Sequence, residues 1–338
     1  MSANNVLGEG KVFHILWKWP FYTGPEYYAG LGTLGLVVAI SALFNVFTAP
    51  YFISTGVLAA LVVVWVFQLG SIGSIIVLIT RDPGIVPRSV DYREEYDPIK
   101  GINRSRPPPM AFENSIKTFP VRSKYCDTCG SVRAPRVVHC SSDDVDLERF
   151  DHHCPWLGCC IAKRNYKYFL IFLFSLSLTC LGVLGISIAH LALYTLDDYN
   201  NTDQDSLARS IRASLAGNIP VAIVCGITVL FMWFIVGLTA YHVYLSSHAI
   251  TTYEHIRGAY DAIGNPHDKG AWYANMWTIF VEPIRPSWID LKTRKRRVIL
   301  IPDSQVDEVC QRRIGSLISE PSRMQPVIEQ EFPAPASS

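Results

Sequence analysis

Four stretches of this chain are too long and too apolar to sit in a water-soluble fold. They run from about Tyr28 to Phe47, Val57 to Ile79, Tyr168 to Tyr194 and Ile219 to Leu245. A helix crossing a hydrocarbon core of roughly 30 Å needs about 20 consecutive apolar residues, and each stretch meets that length. Composition agrees: 49% of the 338 residues are apolar and only 17% charged, with a mean hydropathy of +0.21. A soluble domain carries about a quarter charged residues. The net charge of +1 supplies no global basic field for nucleic acid. Few ionisable residues fall within the spans, which argues against a transporter. The first 26 residues lack an apolar core followed by a small-residue cleavage site, so the first span is expected to be retained.

The Lys and Arg residues sort sharply among the connections. Segment 80–167 holds 15 of the 30 and the C-terminal segment holds 11, whereas the connection 195–218 holds only Arg209 and Arg212. By the positive-inside rule both termini and segment 80–167 are cytoplasmic, and 195–218 is lumenal. Asn200-Asn201-Thr202 is a glycosylation sequon in that lumenal connection. Asn103-Arg104-Ser105 repeats the pattern on the cytoplasmic side, where it could not be used, so the motif alone has little specificity.

Six of the nine cysteines crowd into residues 126–160. In a reducing compartment such clusters bind metal or act as catalysts rather than forming disulfides. Cys126, Cys129, His139 and Asp146 read C-x2-C-x9-H-x6-D, and Cys140, Asp143, His153 and Cys160 read C-x2-D-x9-H-x6-C. These are interleaved copies of one four-ligand pattern, each able to supply a tetrahedral Zn²⁺ site. Isolated aspartates are ordinarily solvated loop acids. Here both occupy ligand positions of a repeat, which favours ligation by Asp143 and Asp146, although carboxylate is a harder donor than thiolate and weakens the hold on zinc.

Asp151, His152 and Cys154 are not needed for metal. A thiol becomes a nucleophile when a neighbouring histidine takes its proton, and a carboxylate on the other ring nitrogen orients that histidine. Residues this close are expected not to share one strand or helix face, so an irregular loop is expected to present them, held rigid by ligation of His153.

The run from Lys124 to Phe169 closely resembles the DHHC protein S-acyltransferases through KYCDTC, RAPRVVHC, ERFDHHCPWLG and KRNYKYF. Asp82-Pro83-Gly84 resembles the family's DPG motif, and Thr251-Thr252-Tyr253-Glu254 its TTxE motif, with Thr251, Thr252 and Glu254 at the defining positions. Residues 265–280 resemble its C-terminal palmitoyltransferase motif, with Asn275 at the asparagine position. The resemblance implies a palmitoyltransferase in which Cys154 takes the acyl group of palmitoyl-coenzyme A and passes it to a cysteine of a substrate protein. It makes His152 the general base and Asp151 its orienter. Arg133 and Arg136 are candidates for the coenzyme A phosphates, with anionic lipid the competing reading of their charge. The family has cysteine where Asp143 and Asp146 stand, so the number of zinc ions, up to two, is open. Where this chain has Cys159 the family often has asparagine.

The expected architecture is an all-α membrane protein: four transmembrane helices, with a small cytoplasmic zinc-binding, cysteine-rich domain between helices two and three. A cytoplasmic segment 1–27 precedes helices 1 and 2 in 28–79, and the cysteine-rich catalytic domain follows in 80–167. Helices 3 and 4 occupy 168–245 around a lumenal loop 195–218. A cytoplasmic region 246–300 carries the last motifs, and a polar tail 301–338 is expected to be disordered. Val12 to Tyr22, rich in aromatics, reads as an interfacial segment. Arg106-Pro107-Pro108-Pro109 reads as a linker, and Lys292 to Arg297 as a basic run for anionic lipid. His190 and His242 fall within spans and are expected to face the bundle interior.

Expected partners are the lipid bilayer and substrate proteins with membrane-proximal cysteines. Within the family, RDPGIVPR, RPPPM and TTYEHIRG look most like the branch that acylates Ras-type GTPases with an accessory subunit. The implied location is the endomembrane system, Golgi or endoplasmic reticulum, or the plasma membrane. The alternative to an enzyme is a catalytically impaired scaffold on the same fold, motivated by the two aspartates and opposed by the intact Asp151, His152 and Cys154.

Overall fold

In hydrocarbon every backbone N–H and C=O must be bonded within its own segment, so apolar stretches of this length fold as helices. The computed structural model describes residues 11–15, 19–86, 111–116, 119–126, 128–129, 131–201, 206–262, 264–284, 287, 289–290 and 295–296. The tail 301–338, the proline linker at 106–109 and the Asn103 sequon lie outside them. So does all of the basic run except Lys295 and Arg296.

The first crossing is α1 (Tyr27–Phe47) followed by the short α2 (Ala49–Ser54), whose first turn holds Pro50. The second is α3 (Leu58–Thr80) and the third is α4 (Tyr166–Asn201). After α5 (Leu207–Gly217) comes the fourth crossing, α6 (Ile219–Ser247). All four crossings are long and apolar enough to span a membrane, as expected. At 36 residues α4 runs about 54 Å, well beyond a core of roughly 30 Å, so it projects past the bilayer.

Helix α4 is the centre of the bundle, packed on α3 on one side and α6 on the other, while α1 touches α3 and α6. Small and hydroxyl residues make these contacts close, as is usual between helices in lipid. A Cβ on Gly182 would meet Val64 at 2.5 Å. Ser71 and Thr179 join α3 to α4, and Ser177 meets Thr239 at 2.8 Å between α4 and α6. The exterior exposes its large apolar side chains, Trp233 at 75% and Leu69 at 70%, which is the surface lipid requires.

The expected loop 195–218 is instead largely helical, with α4 reaching Asn201 and α5 beginning at Leu207. Leu207, Ile211 and Leu215 recur every fourth residue and form one exposed stripe. Beside that stripe Ser210 and Ser214 are buried, and Ser214 Oγ donates to the Leu191 carbonyl of α4 at 3.0 Å. This is an amphipathic helix with small residues where it approaches α4 and Arg209 and Arg212 on the far side.

The extramembrane part is built from short antiparallel strands. β1 (Lys11–Ile15) and β2 (Trp19–Thr23) form a hairpin across the segment expected to be interfacial. Between α3 and α4 come β3 (Ile85–Val86), β4 (Ala111–Ile116), β5 (Phe119–Cys126), β6 (Ser131–Val132), β7 (Val137–Cys140), β8 (Val145–Glu148), β9 (His152–Cys154) and β10 (Cys159–Ile161). They pair as β3-β8-β7, β4-β5-β6 and the β9-β10 hairpin. Asp82 of the DPG motif pins this region to the bundle. Its Oδ1 accepts from the Gly84 and Ile85 amides at 2.8 and 3.0 Å, and its Oδ2 accepts from Arg164 and Ser287. Beyond α6 lie α7 (Thr252–Ile256) and α8 (Trp272–Val281). Asn275 of α8 donates to the Ser247 carbonyl at 2.8 Å and to Asp268 at 2.7 Å, fastening α8 to the end of α6.

Candidate active site and metal centres

His152, His153 and Cys154 lie on strand β9, and a strand sends alternate side chains to opposite faces. His152 and Cys154 therefore share one face and His153 points to the other. The irregular loop expected from their proximity does not occur: period-two alternation itself separates His152 and Cys154 from His153.

Asp151, 1% exposed, precedes the strand. Its Oδ2 lies 2.6 Å from His152 Nδ1 and accepts from the Thr252 hydroxyl at 2.9 Å, while its Oδ1 accepts from the Thr252 amide at 2.9 Å. Burial opposes the Asp151 charge, yet the His152 ring holds its carboxyl below the usual carboxylate range. Burial likewise opposes a charge on His152. The Asp151 and Cys154 hydrogen bonds outweigh it and raise the imidazole pKa to about 9. The Phe169 and His242 rings wall the base, with centroids 5.3 and 5.8 Å from that of His152. His242 Nδ1 meets the Tyr166 hydroxyl at 3.3 Å, and that hydroxyl meets Ser246 at 3.1 Å. His242 and Tyr166 were not among the residues assigned to the site from sequence. The signal available was a histidine inside the fourth span, which does face the interior.

Cys154 and His152 lie at one end of an apolar cavity of about 630 Å³ between α1, α4 and α6. Phe169, Trp156, Val183 and Ile227 are among the residues that line it. From Phe169 to Val183 is fourteen residues, about 21 Å of helix.

Glu254 Oε2 accepts from the Thr251 amide at 2.8 Å, while Thr251 Oγ1 accepts from the Glu254 amide at 3.2 Å, a capping box on α7. The same carboxylate takes Arg136 in a two-pronged pair, Nε to Oε1 and NH2 to Oε2, both at 2.6 Å. Arg136 also donates to the Ala249 carbonyl at 3.2 Å. Burial works against the Glu254 charge, but Arg136 holds its carboxyl below the ordinary range. Of the two arginines expected at coenzyme A phosphates, Arg136 is thus engaged in tying the cysteine-rich domain to α7. Arg133 is left as the candidate.

The two expected ligand sets come together. Cys126, Cys129, His139 and Asp146 form one cluster and Cys140, Asp143, His153 and Cys160 the other, each with donor atoms within 4.8 Å of one another. Zn–S of about 2.3 Å and Zn–N or Zn–O of about 2.0–2.1 Å put tetrahedral neighbours roughly 3.6 Å apart for S···N and roughly 3.4 Å for N···O. Cys129 Sγ and Cys160 Sγ lie 3.5 Å from His139 Nδ1 and His153 Nδ1, and Cys140 Sγ lies 4.0 Å from His153 Nδ1. The carboxylates of Asp146 and Asp143 lie 3.2 and 3.1 Å from the same two nitrogens. Both aspartates are fully buried, and Asp143 Oδ1 has no hydrogen-bond donor. Asp143 foremost, then Cys140, raises the His153 pKa to about 10. On the far side of the two rings stand Asp144, 3.8 Å from His139 Nε2, and Glu26, 3.6 Å from His153 Nε2. The residues fit zinc.

A family model described as DHHC palmitoyltransferase matches residues 120–259. A zebrafish (Danio rerio) protein named Palmitoyltransferase ZDHHC9 is 32% identical over 90% of this chain and 75% of its own length. Palmitoyltransferase ZDHHC18-B of the same species is 36% identical over 76% of this chain and 67% of its own. The chain belongs to the DHHC palmitoyltransferase family. An Arabidopsis thaliana relative, named Probable protein S-acyltransferase 6, is 36% identical over 79% of this chain and 65% of its own length. The chain spans between 55% and 75% of the length of such relatives. The motif that names the DHHC family is Asp151-His152-His153-Cys154 here, with Asp151 just before strand β9 and the other three residues on it.

Proposed function

We propose that this DHHC protein transfers a long-chain acyl group, palmitate first among them, from its coenzyme A thioester to cysteines of substrate proteins. The observation that carries the reading is the Asp151–His152–Cys154 series at the mouth of an apolar cavity. The Cys154 thiolate attacks the thioester carbonyl, forming the new C–S bond as coenzyme A leaves and takes a proton from His152. The thiol of a substrate cysteine then gives its proton to His152 and attacks the Cys154 thioester, and Cys154 leaves as thiolate. Asp151, gripped by Thr252, keeps the ring in the tautomer this exchange needs. Each methylene drawn into the cavity adds about 0.8 kcal/mol of affinity.

Zinc held by the two Cys/His/Asp sets would lock β7, β8 and the β9-β10 hairpin in register, a structural role. Arg133 is the candidate for coenzyme A phosphates. Asp82, Pro83, Gly84, Thr251, Glu254 and Asn275 support the site without touching the reacting atoms. The Lys and Arg bias supports a cytoplasmic site with both termini on that side, and the family resemblance implies a membrane of the Golgi, the endoplasmic reticulum or the cell surface. The branch resemblance makes Ras-type GTPases, with an accessory subunit, the first substrates to assay.

The test is incubation of purified protein with a palmitoyl-coenzyme A analogue. Wild type is expected to gain hydroxylamine-sensitive label, and Cys154→Ala none. Cys154→Ser is expected to retain at most hydroxylamine-resistant label. An unlabelled wild type, or equal labelling of the variants, would overturn the reading in favour of a scaffold.

A further inference from the structure

The β9-β10 hairpin places a second thiol directly across from the nucleophile. Its register pairs Cys159 with Cys154, Cys160 with His153 and Ile161 with His152. Directly opposed residues of an antiparallel pair point to the same face, and the faces alternate along the strands. Cys160 and His153 therefore take the metal face, while Cys159 joins Cys154 and His152 on the other. Cys154 and Cys159 belong to one buried cluster, 7% and 2% exposed. Opposed residues have Cα atoms about 4.5 or 5.5 Å apart according to the type of pair. Both spacings lie within the 4.4–6.8 Å that a disulfide spans.

The other described cysteines are otherwise placed. Cys126, Cys129, Cys140 and Cys160 belong to the donor sets, and Cys180 and Cys225 lie within the spans. Among the described residues Cys159 alone is a thiol beside Cys154 with no metal to hold. Its Sγ makes only a long contact, 3.7 Å, to the Leu78 carbonyl, a weak interaction for a thiol to leave.

We propose that Cys159 is a resolving thiol, and that Cys154 and Cys159 form a reversible disulfide when the site meets a peroxide. The inference rests on the reading of Cys154 as the nucleophile of the proposed acyl transfer. The Cys154 sulfur attacks one oxygen of hydrogen peroxide, forming an S–O bond as the O–O bond breaks. Hydroxide leaves, and Cys154 is oxidised to the sulfenic acid. The Cys159 sulfur then attacks the Cys154 sulfur, forming the S–S bond and expelling the sulfenic oxygen, which departs as water with the Cys159 proton. Two electrons have passed from the two thiols to the peroxide. A thiol reductant restores both cysteines. Without a resolving thiol, sulfenic acid proceeds to sulfinic acid, which such reductants do not reverse. An acyl group on Cys154 occupies the sulfur and blocks the sequence.

The experiment treats full-length protein in detergent or nanodiscs with hydrogen peroxide, with and without prior acylation. It follows acyl label, zinc content and peptide masses before and after dithiothreitol. Wild type is expected to lose labelling, yield a Cys154–Cys159 linked peptide two hydrogens lighter, keep its zinc and recover its label on reduction. Prior acylation is expected to abolish the linked peptide. Cys159→Ser, with Cys159→Ala as a second variant, is expected to label normally at first, then to lose label and fail to recover, with Cys154 found as the sulfinic acid. A wild type without the linked peptide, inactivation that tracks zinc loss instead, or equal recovery by both Cys159 variants would each overturn the proposal. Labelling before oxidant separates this outcome from failure of the acyl-transfer reading, because the linked peptide is scored by mass whether or not the protein acylates.

Discussion

Asp151 uses both carboxylate oxygens, one shared between His152 and the Thr252 hydroxyl and the other on the Thr252 amide. Hydrogen bonds to charged groups contribute about 1.5–3 kcal/mol each, and 1.4 kcal/mol is a factor of ten. Thr252→Val keeps the amide contact and the shape but removes the hydroxyl. It is expected to slow single-turnover acylation of Cys154 roughly tenfold without changing the zinc content, while Thr252→Ser stays near wild type. A valine variant as fast as wild type would show that the hydroxyl does not orient the base. Gly158 makes a second prediction at this scale. It sits at φ +61°, and a Cβ there would lie 1.9 Å from the Glu26 carbonyl oxygen. Gly158→Ala is therefore expected to push the hairpin from the start of α1 and lower the thermal midpoint of the whole protein. Asp151, His152 and Cys154 were legible as a set of neighbours, and the structure brings them together. Their second contacts were not legible, because His242 and Thr252 lie about a hundred residues away and only packing brings them together.

At the scale of elements, the interleaved spacing made the metal sets readable. His139, Cys140, Asp146, His153 and Cys160 lie on the short strands β7 to β10, while Cys129 and Asp143 lie in the connections between strands. What spacing could not convey is the strand alternation of β9, since three residues are too few to show a period. The helicity of α5 escaped as well, because Ser210 and Ser214 read as loop residues until they are seen against α4. Replacing Asp146 or Asp143 by cysteine exchanges a hard donor for a soft one at the same corner of the cluster. Asp146→Cys is expected to slow zinc loss to a chelator, and Asp146→Ala to remove about one zinc per chain by metal analysis. Unchanged zinc content in Asp146→Ala would remove that carboxylate from the ligand set. The Arg136–Glu254 pair binds the cysteine-rich domain to α7, and its two partners are 118 residues apart. Glu254 is held below its ordinary pKa of 4.5 in the folded protein, so its contribution is present in full above that value and is lost as pH falls through the folded pKa. Acidification below about pH 4.5 is expected to steepen the fall in thermal midpoint of wild type relative to Glu254→Gln. At neutral pH that variant, leaving Arg136 buried and unpaired, is expected to be less stable by about 3 kcal/mol.

For the whole molecule, hydropathy and charge asymmetry carried the four crossings, because lipid admits so few backbone solutions. A cavity between the first and third spans was expected, but the side chains that line it were not legible. Its walls come from α1, α4 and α6, and no periodicity in any one helix says which faces will meet. The catalytic assembly is similarly distributed, so a chain cut in the connection at 202–205 tests it. Residues 1–201 alone carry Cys154, His152 and Asp151 but neither His242 nor Thr252, and are expected to take no acyl label. Co-expression with 206–338 is expected to restore labelling, measured against the uncut protein.

The grip of Thr252 on Asp151 also orders events during synthesis. Residues 151–154 leave the ribosome well before α6 has entered the bilayer and before Thr252 has been made. Until the fourth crossing is complete, the nascent chain carries its thiol beside a histidine whose carboxylate has no anchor. The full constellation around Cys154 is therefore expected to assemble only with a fully inserted bundle.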